Sequence, residues 1–347
     1  MIGAGGFGGA NIIELLTGHP GAEIVSLVDV QGTGLPISAQ HTHLKGICDL
    51  AVSAPEDARF DGSIDVVFTA TPDGVGMTLA EACLAGGARM IDFGGDFRFD
   101  SAEAYARYAE RIGRDPRHGA AALLPRSVYG LTELHRDEIA KASLVGNPGC
   151  FAVSAILGAA PALREGLIDP DTLIFDAKTG VSGAGIKPAQ TFHYPLRYEN
   201  MNAYKIGAHQ HTFEVERELS LLAGAEIRVT LTTQVVPLCR GIMTTVYGQL
   251  TDSSMTAREL HDAYQAFYAG SPFVRAEPQG APASNNDVRG TNLCVLSVNV
   301  DARTGRMIVV SHIDNLMKGQ AGSALQNMNV MFGLDEGLGL RRPAFYP

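Results

Sequence analysis

Through the first half of the chain, short apolar runs of strand length alternate with helical patterns. A helical pattern over residues 11–17 is followed by a strand-like run over 23–29 and another over 65–71, which ends in a loop at Pro72-Asp73-Gly74. A helix over 80–87 then precedes a strand over 89–93. This alternation predicts a Rossmann-type α/β domain, a doubly wound parallel sheet. The pattern changes after the apolar run 151–163, which reads as a helix. Strands are expected over 172–177, 227–236, 243–251, 293–300 and 307–312, with Thr304-Gly305 turning between the last two. These predict a second, α+β domain with a mixed sheet, suited to substrate binding and subunit contact.

At 347 residues the chain is too long for one core of ordinary size, so two domains are expected. A hydrophobic content of 46% with 18% charged residues describes a well-buried globular protein. The net charge of -10, with no basic cluster to offset it locally, argues against nucleic-acid and anionic-membrane partners. A small anionic substrate remains compatible, since a few local cations suffice to bind it. Cys48, Cys83, Cys150, Cys239 and Cys294 are odd in number and scattered, which fits a reducing cytoplasm. No apolar run reaches the roughly 18–20 residues that span a bilayer.

Gly3, Gly6 and Gly9 form a G-x-x-G-x-x-G turn ahead of the first helix, with Phe7 inside it. Such a turn lets backbone N–H groups approach a pyrophosphate closely. A dinucleotide fold places a buried strand before that turn, yet only Met1 and Ile2 precede Gly3. The expectation is that the true start lies upstream and supplies about five more apolar residues of a truncated first strand. Asp29 closes the second strand about 20 residues past the turn, where an acid hydrogen-bonds the ribose 2′-hydroxyl and repels a 2′-phosphate. Locally this favours NAD over NADP.

Asn147-Pro148-Gly149-Cys150 puts a thiol at a helix start, where unpaired N–H groups and the helix dipole favour the thiolate. The bland alternative is a small buried residue after a turn. A second chemical cluster, His209-Gln210-His211-Thr212-Phe213-Glu214, offers a base for that thiol and a carboxylate to orient it. A metal site is the weaker reading of the H-x-H pair, because no third and fourth ligands follow in a recognisable spacing. The small-residue loop from Gly180 to Gly185 permits close backbone approach to a ligand.

With these blocks together, the chain resembles the N-acetyl-γ-glutamyl-phosphate reductases, relatives of the aspartate-semialdehyde dehydrogenases. The similarity rests on Asn147-Pro148-Gly149-Cys150, Asp96-Phe97-Arg98, Tyr129-Gly130-Leu131, the Gly180–Gly185 loop, Ala203-Tyr204-Lys205-Ile206-Gly207, the histidine cluster, Arg240-Gly241-Ile242 and the tail from Asp314 to Asn329. It covers essentially the whole chain. It implies that Cys150 attacks an acyl phosphate and that His211 is the acid–base residue, oriented by Glu214, with His209 the less favoured candidate. Arg98, His209 and Arg240 would bind substrate. Gly3, Gly6, Phe7, Gly9, Asp29, Ser182, Gly183 and Asn315 would surround the dinucleotide, and no metal is implied.

The implied reaction is NAD(P)H-dependent reduction of N-acetylglutamyl 5-phosphate through a cysteine thioester, in arginine biosynthesis. Two alternatives are a reductase of a carrier-linked aminoadipyl or glutamyl phosphate and a non-catalytic dinucleotide-binding regulator. NADP is the family's cofactor; Val30 and Gln31 after Asp29 depart from its pattern and keep NAD in play. Phe151-Ala152 replaces a Tyr-Pro pair, and Ala208 a glycine. The resemblance further implies a discontinuous dinucleotide-binding domain, 1–146 with 315–347, around a catalytic domain over 147–314, in a homodimer or homotetramer.

Overall fold

A computed structural model describes residues 1–346. The chain divides into two compact units, Met1–Pro148 with Gln320–Arg341, and Gly149–Gly319 with the chain from Arg342 onward.

The first unit opens with α1 (Phe7–Thr17), followed by β1 (Leu27–Val28) and β2 (Val52–Ser53). Then come β3 (Val66–Thr69), α2 (Gly76–Ala85), β4 (Arg89–Asp92), α3 (Ala102–Arg111), β5 (Val128–Tyr129), α4 (Thr132–Ile139) and β6 (Leu144–Gly146). Four strands form a parallel sheet in the order β3-β4-β6-β5, and β1 pairs with β2, also in parallel. Ile2 joins the two pieces through parallel bridges to Val28 and Thr69, so a single residue carries the central pairing. The strand expected over 23–29 is accordingly short: β2, its partner on one side, is two residues long, and Ile2 alone stands on the other. Ala4, Ile13, Leu27, Ile37, Leu44 and Val52 close the core beneath the glycine turn.

The second unit begins with α5 (Cys150–Arg164). Thirteen of its fifteen residues are buried, as expected of a helix apolar on every side. It packs against β7 (Ile168–Thr179), and the short α6 (Tyr194–Arg197), β8 (Asn202–Tyr204), α7 (His211–Ala223) and β9 (Thr230–Val235) follow. The rest comprises β10 (Ile242–Leu250), α8 (Ala257–Phe267), β11 (Val274–Glu277), β12 (Cys294–Asp301) and β13 (Arg306–Ile313). The sheet runs β11-β12-β13-β10-β7-β9-β8 with both parallel and antiparallel pairs. Gly305, at φ 64, supplies the left-handed residue of the β12–β13 hairpin. The chain then passes through a π-helical turn, Met317–Ala321, into α9 (Gly322–Met331).

Candidate active site

Cys150 is the first residue of α5, preceded by an extended Gly149 at φ -72 and ψ 144 with no side-chain cap. Instead, the fully buried Glu214, one turn into α7, accepts the Gly149 N–H through Oε2 at 2.9 Å. Its other oxygen lies 3.9 Å from His211 Nε2, beyond hydrogen-bonding distance. Glu214 therefore fixes the turn that presents the nucleophile at least as directly as it orients the imidazole. The His211 ring lies over Gly149, where a Cβ would stand 2.4 Å from Nε2.

His209 and His211 pack edge to face with centroids 4.7 Å apart, and the Phe151 ring abuts both. The Nδ1 of His209 accepts the His211 N–H at 3.2 Å. Burial, the neighbouring His211 and the Lys205 charge push the His209 pKa down to about 2, so that ring stays neutral. Tyr204 completes this corner, with its hydroxyl 3.5 Å from His209 Nε2 and its own acidity suppressed by burial and by the Cys150 charge. Tyr204 lies in a block legible in the sequence, but an aromatic hydroxyl two residues past a strand start carries no signal of its own. Gly319 lets the Cys150 Cβ fit closely, since a Cβ there would sit 2.8 Å from it.

Ser182, Gly183 and Asn315 are brought together. Asn315 donates to Ser182 Oγ at 3.0 Å and accepts the Gly241 N–H at 2.7 Å, and Gly183 lies against the same amide. Arg240, next to that contact, is paired with the buried Asp314, Nε to Oδ2 at 3.0 Å. Asp314 also receives the N–H groups of Gly290 and Leu316. The guanidinium thus locks strands and loop together.

In the first unit Arg98 is also engaged, donating to the carbonyls of Asn147 at 2.8 Å and Phe93 at 2.7 Å. It holds the residue three places before Cys150. The glycine turn is built for close approach. Gly3 adopts φ 80, and a Cβ at Gly9 would meet the Gly3 carbonyl at 2.4 Å, so the helix packs directly on the turn. Gly6, the residue before Phe7 and α1, has no capping side chain and open space around it, leaving first-turn N–H groups for an anion. Asp29 stands beside them, accepting the Gly5 N–H at 2.8 Å and the Gln31 N–H at 2.9 Å. These features fit a dinucleotide.

A fully buried acid, with no motif of its own in the sequence, ends β4. Asp92 accepts from Thr69 Oγ1 at 2.6 Å, while its Oδ2 has no hydrogen-bond partner. Burial and the nearby Asp96 charge push its pKa up to about 7.

Residues 1–142 match the family described as semialdehyde dehydrogenase, NAD binding domain, and residues 150–315 that described as semialdehyde dehydrogenase, dimerisation domain. An N-acetyl-gamma-glutamyl-phosphate reductase of Desulforudis audaxviator is 44% identical over 350 residues, covering 100% of this chain and 99% of its own. One from Citrifermentans bemidjiense is 42% identical with the same coverage. The fold is that of aspartate semialdehyde dehydrogenase II from Vibrio cholerae, at 15% identity and a TM-score of 0.71 over 96% of this chain and 97% of that one. With this likeness along its whole length, the chain belongs to the N-acetyl-gamma-glutamyl-phosphate reductase family of the semialdehyde dehydrogenases.

Proposed function

We propose that this chain reduces N-acetylglutamyl 5-phosphate to N-acetylglutamate 5-semialdehyde and phosphate, a step of arginine biosynthesis. One observation carries the reading: Cys150 starts α5 on a turn whose Gly149 N–H is held by Glu214 and covered by His211. The relatives' names favour a free N-acetylated substrate over a carrier-linked one, and the retained Cys150, His211 and Glu214 argue against a non-catalytic regulator.

Cys150 Sγ attacks the acyl carbon as the thiolate; the C–S bond forms, the C–O bond to phosphorus breaks and phosphate leaves. In the first unit Gly3, Gly6, Phe7 and Gly9 would hold the pyrophosphate of the dinucleotide and Asp29 its ribose; in the second, Ser182, Gly183 and Asn315 are the cofactor-contact candidates. When bound, the reduced nicotinamide supplies the hydride that takes the thioester to the thiohemiacetal level. His211 gives a proton to the tetrahedral oxygen and takes it back as C=O re-forms and the C–S bond breaks. Positioned acid–base help of this kind is worth about 10²–10⁴-fold. His209, held neutral, shapes the pocket around His211 and contacts substrate. Arg98 and Arg240 serve the substrate indirectly, by fixing Asn147 and the Asn315 loop.

The cofactor is a nicotinamide dinucleotide. We assign NADP, the cofactor that the family resemblance implies; NAD is accepted as well, because the Asp29 charge opposes a 2′-phosphate and hydrogen-bonds a 2′-hydroxyl. The chain works as a homo-oligomer, a dimer or tetramer, in the cytoplasm, where its five cysteines stay reduced; among the described residues no helix is long and apolar enough to cross a membrane. The test is phosphate-dependent oxidation of N-acetylglutamate 5-semialdehyde, followed at 340 nm with NADP and NAD in parallel. Activity with free semialdehyde supports the reading; a folded protein inert with both cofactors overturns it.

A further inference from the structure

The cations that the sequence offers for the substrate's anions are taken up by the protein itself. Arg98 holds two carbonyls and Arg240 holds Asp314. In the second unit Arg197 is likewise engaged by the carbonyls of Asn200 and Val235 and by Asn202 Oδ1, and Lys178 by Asp176.

Lys205 differs from all of these. It is exposed, and its Nζ donates at 2.8 Å to Oε1 of Gln210, a neutral amide on the residue between the two imidazoles. Its charge reaches His209, and the preceding Tyr204 both contacts His209 and feels the Cys150 charge. The ammonium therefore stands beside the histidine pair, on the segment whose Tyr204 borders His209 and feels the nucleophile. The backbone there is unusual too: Lys205 adopts φ 47, a left-handed conformation rare for a residue with a side chain. Such outliers concentrate where function demands a particular side-chain direction.

We propose that Lys205 is the phosphate-recognition residue of the Cys150 site, its ammonium taking the phosphoryl oxygens of the acyl phosphate and, in the reverse direction, inorganic phosphate. This rests on the acyl-phosphate reading given above. The phosphoryl group of such a substrate is attached directly to the carboxyl unit under attack, so its cation must stand beside the thiol and its acid–base residue. A lysine on a flexible stem is a compact charge suited to phosphate. Its resting partner is a neutral amide, which a phosphate oxygen can displace to form a stronger, charge-assisted bond. As the C–O bond breaks, negative charge grows on the departing phosphate, and the same ammonium stabilises it.

The test compares Lys205→Gln, Lys205→Arg and Lys205→Gly in the oxidation direction. Glycine accepts the left-handed backbone at no steric cost, so Lys205→Gly removes the charge without adding backbone strain. Loss of a charged hydrogen bond predicts a KM for inorganic phosphate raised about tenfold or more in the Gln and Gly variants, with the KM for the dinucleotide unchanged and the Arg variant partly restored. A second measurement needs no turnover: inorganic phosphate should slow alkylation of Cys150 by iodoacetamide in the parent protein and fail to do so in Lys205→Gln. Unaltered phosphate KM and unaltered protection would overturn the proposal. So would absence of protection in the parent, or a rise confined to the semialdehyde KM, which would move Lys205 to the substrate's carboxylate. If the parent turns over no N-acetylglutamate semialdehyde but phosphate still protects Cys150 through Lys205, the substrate reading fails and the phosphate site stands.

Discussion

Gly149→Ala isolates what the His211 ring does. The backbone of Gly149, at φ -72 and ψ 144, is one that alanine adopts without strain, so the change acts through space alone. The added Cβ would lie 2.4 Å from Nε2 and 2.6 Å from both Cδ2 and Cε1 of His211, against an ordinary contact of about 3.5 Å. The ring must retreat by about 1 Å. The His209 ring, 4.7 Å away between centroids, and Phe151 pack against it and must adjust with it. A displacement of that size at a catalytic group lowers kcat about 10²-fold, equivalent to about 2.7 kcal/mol in the barrier. The overpacking also lowers stability by about 1–3 kcal/mol. Steady-state kinetics, dinucleotide titration and thermal unfolding of the variant read these effects apart, with dinucleotide affinity expected to match the parent. A kcat within threefold of the parent would refute the assignment of His211 as the acid–base group acting from above Gly149.

Cys150→Ser abolishes phosphate-dependent turnover while leaving dinucleotide binding intact, as measured by cofactor fluorescence and rate assays; near-normal turnover would remove the covalent mechanism. Glu214→Ala strips the acceptor from the buried Gly149 N–H, and unfolding measurements should show a loss of about 1–3 kcal/mol alongside a fall in kcat, with Glu214→Gln retaining much of the stability. Asp29→Ser removes the charge beside the glycine turn and should raise the NADP-to-NAD ratio of kcat/KM about tenfold or more; an unchanged ratio would show that Asp29 only fixes the turn. Asp92 titrates near 7 when folded and near 3.8 when unfolded, so the folded state alone holds its proton between these values. Stability from this group is full below about pH 4 and declines as pH rises towards 7, by about 4 kcal/mol in all. Denaturant titration of Asp92→Asn across that window should show a shallower decline than the parent, and identical slopes would refute the assignment.

The legibility of this chain follows its ladders. The run 243–251 lies within a residue of β10, and 307–312 sits inside β13, because each pairs antiparallel along nearly its whole length. The run 23–29 has the same apolar character, yet its ladder is limited to Leu27 and Val28 by a two-residue partner. Chemistry carried by a local motif, such as Cys150 at a helix start or the histidines ahead of Glu214, is readable from spacing. What those groups touch is not: the bond between Glu214 and the Gly149 N–H joins residues 65 positions apart. The same limit governs Arg98 and Arg240, whose residue type suggests free cations, while the fold commits them to carbonyls and to Asp314.

The central claim, an acyl-enzyme on Cys150, is tested most directly by a single-turnover experiment without dinucleotide. Protein at substrate-level concentration is mixed with N-acetylglutamyl 5-phosphate, released phosphate is counted, and the quenched protein is mapped by mass spectrometry. The account predicts up to one phosphate per active site and an N-acetylglutamyl adduct on the peptide bearing Cys150, absent in Cys150→Ser. Phosphate release that awaits the reduced dinucleotide, or an adduct elsewhere, would contradict it.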